Sequence, residues 1–405
     1  MKTAITEYFD QLSSNEMHKF IIAHEHDDAQ KLLLKGGEKF GVPMKFIAQQ
    51  ITGRQKIKSK LPTWFNNLNI LYPPSLNLEQ CSSEITARFK QSFLLTLLSR
   101  GGTGVDLTGG FGVDAAFLKR HVERLYYVEK DQLLFQIAEQ NFKTLGCIGI
   151  QTHPVSAEEF LNDSEERFSF IYIDPSRRKD SKKVFRLADC EPNVSALLEV
   201  LFSRSDLILI KASPLLDIQQ GIQELKNVAE ILVIAIDNEC RELVFIIRKG
   251  FNDEPLIRAV NITGGKMDLN SMITFKKSEE IVAEVSFSSP EKFIYEPNAA
   301  ILKAGAFRWV SQQFEVSKLA PNSHLYTGDS KIEFPGRTFK ILDRLKLDKK
   351  IKDNFPDGYA NILIRNYPLT VEEVKKKTGL KEGGDLYLIC TQDQKEKIVL
   401  TAEKV

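Results

Sequence analysis

Apolar and polar positions along the chain of 405 residues fall into three regimes. Over roughly the first 60 residues, apolar side chains recur at three-to-four spacing. They run through Phe20, Ile21 and Ala23, then through Ala29, Leu32, Leu33 and Leu34, and stop at Gly36-Gly37. That spacing places them on one face of a helix. A basic stretch, Gln49–Lys60, leads into Leu61-Pro62-Thr63-Trp64, and Tyr72-Pro73-Pro74 interrupts regular structure. A further helix is predicted from Ser83 to Ser99, with Ser82 or Ser83 as its cap and Glu84 in its first turn.

Beyond Gly104 the pattern changes to short strand-like segments, most of them apolar: Gly104–Leu107, Tyr126–Glu129, Gly149–Thr152, Phe170–Asp174, Leu207–Lys211, Ile231–Ile236 and Leu243–Arg248. Helical segments separate the first six runs. The last two are joined by a turn too short for a helix. Strands alternating with helices imply a parallel sheet covered on both faces, here closed by one antiparallel strand. The fold class is therefore α/β, a Rossmann-like sheet of seven strands, preceded by an N-terminal helical region over residues 1–82 and occupying residues 83–250.

After Gly250 the alternation ends. Strand-like runs are read at Leu256–Ile262 and Ile281–Phe287, and one helix at Ala299–Phe314, giving a small α+β domain over residues 251–330. A second small α+β domain over residues 331–405 is expected to contain strands at Ile332–Phe334, Thr338–Leu342, Ala360–Arg365 and Asp385–Ile389. Its helices are expected near 345–353 and 370–378.

Hydrophobic residues make up 42% and charged residues 27%, which suits a globular chain able to bury real cores. No run approaches the ~18 apolar residues of a membrane helix, and the first residues lack the apolar stretch of a signal peptide. Five scattered cysteines form no CxxC pair, which argues against a disulfide framework or a metal site and fits a reducing cytoplasm. The net charge of +1 hides an asymmetry: residues 1–104 carry +4, residues 105–330 carry −7, and residues 331–405 carry +4. Basic flanks suit a nucleic-acid partner, although ordinary solvated surface would look the same.

The chemistry concentrates at Val105-Asp106-Leu107-Thr108-Gly109-Gly110-Phe111-Gly112, which joins the first strand of the sheet to a helix. A glycine-rich crossing lets backbone amides approach a ligand, and the following helix start favours an anion. Glu129 closes the second strand, where a carboxylate can accept hydrogen bonds from both hydroxyls of a ribose. Asp174-Pro175-Ser176-Arg177-Arg178 closes the fourth.

These residues resemble class I S-adenosylmethionine-dependent methyltransferases. The resemblance implies S-adenosylmethionine as cofactor, held through Asp106, Thr108, Gly109, Gly110, Gly112 and Glu129, with Asp174 and Pro175 beside the departing methyl group. Ser176 and Arg177 depart from the D/N-P-P-aromatic motif of enzymes acting on exocyclic base nitrogens. No cysteine follows the fifth strand for the usual uracil-C5 route, so amine methylation is favoured. Ser156 stands where many relatives have an acid that meets the adenine, which leaves adenine recognition unassigned.

Six cations lie in ten residues after Pro175, among them Arg177, Arg178, Lys182 and Lys183, on the loop leaving the catalytic edge. They suit phosphate contacts, or else form a solvated loop paired with Asp180 and Asp189. Lys211, near the end of a buried strand, either points into the substrate site or pairs with an acid such as Asp174.

Across nearly the whole length, Gly53-Arg54-Gln55, Leu61-Pro62-x-Trp64, Cys81–Arg88 and Arg365-Asn366-Tyr367-Pro368-Leu369 resemble bacterial methyltransferases with a ferredoxin-like domain and a THUMP-like C-terminal domain. That family places the ferredoxin-like part at 251–330 and the THUMP-like part at 331–405. It implies RNA, tRNA or rRNA, as partner and substrate. A small-molecule or protein methyltransferase, and a non-catalytic RNA-binding protein that keeps the fold, stay open as alternatives.

Overall fold

The computed structural model describes residues 5–177, 186–266 and 272–405, and the chain divides into two compact units. The first comprises Met1–Glu230 and Glu242–Asp253. Its strands are β1 (Thr103–Asp106), β2 (Arg124–Val128), β3 (Ile150–His153), β4 (Phe170–Ile173), β5 (Leu207–Ala212), the start of β6 (Val228–Ile236) and most of β7 (Glu239–Arg248). They lie in the order β3-β2-β1-β4-β5-β7-β6. The pairings among β1 to β5 are parallel, and β7 runs antiparallel to β5 over Leu243–Arg248. Phe170–Ile173 and Leu207–Ala212 are buried along their whole length, which explains a sequence that is apolar apart from Lys211.

The N-terminal helices α1 (Asn15–Ala23), α2 (Ala29–Lys35) and α3 (Met44–Ile57) belong to this same unit, as does α4 (Glu84–Leu97), capped by Ser83 through the Thr86 amide. Further helices of the unit are α5 (Val113–Leu118), α6 (Gln132–Thr144), α7 (Ala157–Asp163), α8 (Val194–Arg204) and α9 (Ile218–Leu225), besides short ones at Phe9–Leu12, Pro62–Phe65 and Ser75–Gln80. The basic stretch from Gln49 is mostly the second half of α3. Its Gln50, Gly53 and Arg54 are buried.

Their task is visible at Ile70–Tyr72, an extended segment buried without a neighbouring strand. Its backbone polar groups need partners, and amide side chains supply them. Gln50 donates to Tyr72 O (3.1 Å) and accepts from Tyr72 N (2.8 Å). Asn141 of α6 donates to Leu71 O and accepts from Leu71 N, both at 2.9 Å. Gly53 makes room for this segment: a Cβ there would sit 2.4 Å from Tyr72 Cβ.

The second unit comprises Ile231–Arg241 and Glu254–Val405. In it the rest of β6 is followed in order by β8 (Leu256–Ile262) and β9 (Ile273–Lys276). Ile281–Phe287, read from sequence as a strand, begins instead as the last turn of α10 (Lys277–Val282), which Glu279 caps by accepting the Lys276 amide. The single helix expected over Ala299–Phe314 is two, α11 (Ala299–Ala304) and α12 (Phe307–Gln313), because Gly305 takes a left-handed conformation at φ +77°.

A seven-stranded sheet follows, in the order β11-β12-β10-β13-β16-β15-β14. Its strands are β10 (Phe293–Pro297), β11 (Ser317–Lys318), β12 (Tyr326–Gly328), β13 (Gly336–Arg344), β14 (Tyr359–Ile364), β15 (Lys381–Gln392) and β16 (Lys397–Lys404). Ile332–Phe334 forms no strand, and the Lys-rich segment is a 3-10 helix over Lys349–Asn354. Helix α13 (Val371–Thr378) packs with Ile351, Phe355 and Leu388 on one face of this sheet. Ile294, Phe339, Leu363, Ile389 and Leu400 form the core on the other.

Candidate active site

The site forms where β1, β2, β4 and β5 end. Asp106, the last residue of β1, is 1% exposed and accepts the Thr108 amide (3.0 Å) from beneath the turn. Thr108 Oγ1 in turn accepts the Asp174 amide (2.6 Å), so the glycine-rich turn and the acid after β4 are fixed to each other.

The three glycines of the turn serve different ends. A Cβ on Gly109 would lie 2.0 Å from the Tyr127 ring, and one on Gly112 would lie 2.6 Å from the Phe142 ring. Gly109 is a glycine because an aromatic ring packs against its back, and Gly112 for that reason and because it takes a left-handed conformation at φ +81°. Gly110 adopts φ +55° and has open space beside it: the nearest atom to an added Cβ would be Thr108 O, at 3.9 Å. The open flank on which backbone can approach a ligand is therefore at Gly110. Tyr127, unremarked as a site residue in the sequence, pins that position by donating its hydroxyl hydrogen to Gly110 O (2.6 Å).

Glu129 follows β2 and faces the same flank. Its Oε2 accepts the Gly110 amide (2.8 Å) and its Oε1 the Asp131 amide (2.7 Å). Each oxygen retains a lone pair for a further donor. A half-buried carboxylate with two oxygens pre-aimed in this way fits the diol of a ribose, and the open flank of Gly110 fits a ligand lying along the turn. Burial pushes the Glu129 carboxyl above the ordinary carboxylate range, against the two amide hydrogen bonds. Burial raises Asp106 further, helped by the neighbouring charges of Asp114, Asp174 and Glu129.

Asp174 and Lys211 meet at the ends of β4 and β5 as a hydrogen-bonded ion pair through Asp174 Oδ2. Of the two orientations open for Lys211, the structure shows the pairing with Asp174. Burial works against the charge on Lys211, but Asp174, Glu242 and Asp114 outweigh it and raise its pKa. Burial raises the Asp174 carboxyl, with Lys211 opposing. The Asp174 side chain keeps 34% of its surface exposed, while that of Lys211 keeps 11%. Pro175 is buried.

Beneath this pair lies a charge network that sequence reading missed. Lys90 of α4, wholly buried, binds Asp114 (2.9 Å), Glu242 (2.6 Å) and Ser82 (2.8 Å). Ser82 and Tyr172 also donate to Asp114, at 2.7 and 2.8 Å. The available signal was a lysine on the apolar side of α4, between the buried Phe89 and Phe93.

Ser156 caps α7 in a capping box with Glu159. Glu158 beside it is exposed. Arg178, Lys182 and Lys183 lie outside the described residues, as does the side chain of Arg177, whose backbone pairs with Cys190. Among the described residues, no group of three or more His, Cys, Asp or Glu could hold a metal ion, and no helix is long and apolar enough to cross a membrane.

The sheet order, with a glycine turn after β1, an acid after β2 and an acid after β4, is the architecture expected of a class I S-adenosylmethionine-dependent methyltransferase. Comparison with known proteins agrees. The chain is 23% identical over 296 residues to an uncharacterized S-adenosylmethionine-dependent methyltransferase of Mycobacterium tuberculosis, found in strains CDC 1551 and H37Rv. The match covers 71% of this chain and 76% of that relative. A solved structure, "Crystal structure of putative methyltransferase from Porphyromonas gingivalis W83", superposes with a TM-score of 0.84 at 29% identity, covering 96% of this chain and 97% of that one. Residues 293–335 match the model of a ferredoxin-like domain, and residues 336–404 that of a THUMP domain-like family.

Proposed function

We propose that this methyltransferase acts on RNA, at an amine of a base in tRNA or rRNA, with Asp174 orienting the acceptor. One observation carries the reading. Asp174 is tied to the cofactor turn through Thr108 and to Lys211 on its other side, yet it keeps a third of its side chain open at the carboxyl ends of the strands, the edge where such sheets bind ligands.

Bound S-adenosylmethionine supplies a methyl group on a positively charged sulfur. The chain must hold that cofactor and present the acceptor. Glu129 takes the ribose hydroxyls on its two free lone pairs, the open flank of Gly110 takes the methionine part, and Asp106 holds the turn in shape from below. Lys211 occupies Asp174 Oδ2, which leaves Oδ1 to accept an amine hydrogen and to receive the proton that the nitrogen sheds on methylation. A carboxyl lifted by burial is a better base for that proton than an exposed one. The Pro175 carbonyl is the second acceptor for the amine.

The THUMP-like match at residues 336–404 supports RNA as substrate, as do the six cations between Arg177 and Arg186. The test is transfer of labelled methyl from S-adenosylmethionine to total bacterial RNA. Label in wild-type RNA fractions, and its loss in Asp174→Asn with cofactor affinity intact, is the expected result. Label appearing only in protein or small-molecule fractions would move the substrate to another class. Wild-type turnover in Asp174→Asn would remove Asp174 from the chemistry.

A further inference from the structure

In the second unit, Leu319 and Leu325 pack into the core on one face of the seven-stranded sheet. An open groove of about 310 Å³ is lined by Arg337 of β13, Asn361 and Leu363 of β14, Arg365 just past it, and Glu382 and Tyr387 of β15. This is within the size range of small-ligand sites.

Its charge is organised. Glu296 of β10, 2% exposed, binds Arg337 Nε through Oε2 at 2.6 Å and Arg365 through Oε1 at 2.7 Å. One buried carboxylate thus holds two guanidinium groups at the groove, and the acid of its lining, Glu382, is paired with Lys375. The arginine side chains stay 29% and 41% exposed. Each guanidinium has five donors in a rigid fork, so neither is exhausted by one carboxylate. Asn366, at φ +51°, turns the chain sharply after Arg365 and so fixes where that side chain leaves the sheet. Tyr387 is half-buried, with its ring 4.8 Å from that of Phe339.

We propose that this groove binds one nucleotide of the RNA substrate, its phosphate on Arg337 and Arg365 and its base on the Tyr387 ring. The proposal rests on the RNA reading above and adds to it a defined second contact in the THUMP-like part. The pairing of oriented guanidiniums with an aromatic ring is the chemistry of single-stranded nucleic-acid sites.

The test titrates the full-length protein with bulk tRNA and with a short single-stranded RNA at several salt concentrations. Three variants are compared: Arg365→Gln, Arg365→Lys and Tyr387→Leu. Arg365→Gln should weaken binding several-fold and flatten the log–log salt slope by about 0.7, the value for one phosphate on a single strand. Arg365→Lys, which keeps the charge beside Glu296, should keep the slope and lose affinity. Tyr387→Leu should lose roughly tenfold with the slope unchanged.

Calorimetry with S-adenosylhomocysteine and a thermal melt report whether each variant is folded. If Arg365→Gln melts early, Arg365→Lys and Tyr387→Leu decide the matter. Wild-type affinity and slope in the folded variants, with wild-type protein still binding RNA, overturns the groove and leaves the RNA reading standing. No RNA binding by the wild type overturns both.

Discussion

At the scale of single residues, the glycine turn separates two demands that look identical in sequence. Gly109 and Gly112 answer to packing against Tyr127 and Phe142, and Gly110 answers to the ligand side. Gly109→Ala should therefore cost about 3 kcal/mol of stability, because Tyr127 is buried and anchored to Gly110 O and cannot give way. Gly110→Val should abolish cofactor binding and cost about 1–2 kcal/mol through its positive φ. Thermal melts alongside calorimetry distinguish the two; equal effects of both changes on binding and stability would contradict the division. Glu129 gives a pH prediction. Its carboxyl, raised by burial, must be ionised to accept from a diol, so cofactor affinity should fall as pH drops through a value above the ordinary 4.5. Folding has the other sign: a carboxyl whose folded pKa exceeds its unfolded one favours the folded state at low pH, and that contribution is lost as pH rises through the window between the two. Glu129→Gln should bind more weakly at neutral pH, with less pH dependence; an unchanged pH profile would show that another group, such as Asp106, governs it.

At the scale of elements, legibility followed burial. The central strands β1, β4 and β5 are largely buried, so their sequences are mostly apolar and the sites at the strand ends could be placed by counting, whereas β3 is largely polar and only partly buried. Asp106, Glu129 and Asp174 were found because each ends such a run. The second unit defeats the same method. Ile281-Val282 is apolar yet exposed at the end of α10, and β10, only five residues long and ending in Pro297, carries no strong period. A single glycine, Gly305, split a helix that periodicity alone would continue. Residues whose partners are distant in sequence were the least readable: Lys90 meets Glu242 across 152 positions, and Gln50 reaches the backbone of Tyr72. The Lys90 network supports the site from α4, α5, β4 and β7 at once. Lys90→Met should cost about 3–5 kcal/mol, since Asp114 and Glu242 would lose their shared cation while buried. The Lys90 and Lys211 charges hold Asp114 below the usual carboxylate range despite burial, so its contribution is present above its unfolded pKa and lost as pH falls through the folded one. In the variant the acids can take up protons instead, and the deficit measured in urea at pH 7.5 should shrink at about pH 5. A deficit under about 1 kcal/mol at neutral pH would mean that water replaces the lysine.

At the scale of the whole molecule, the proposed RNA substrate has two candidate contacts: the cation-rich segment between Arg177 and Arg186, and the arginine groove on β13 and β14. Cutting the chain after residue 330 would not isolate them cleanly, because β13 pairs with β10 over five residues and its removal would bare that edge. Charge changes in the intact protein are the better probe. Replacing Lys182 and Lys183 together by Ala should weaken binding to bulk tRNA and rRNA and flatten the log–log salt slope by about 0.7 for each lysine that meets a phosphate on a single strand. Cofactor affinity should not change, since the turn at Gly109–Gly112 and Glu129 are held by their own hydrogen bonds to Val128, Tyr127 and Asp131. A charge that only raises the general surface potential would lower affinity with a small change of slope, and two direct phosphate contacts would remove more than one unit. A slope identical to wild type would take this loop out of the RNA contact, and the cations beside Asp174 would then be solvated charges paired with the acids of their own segment.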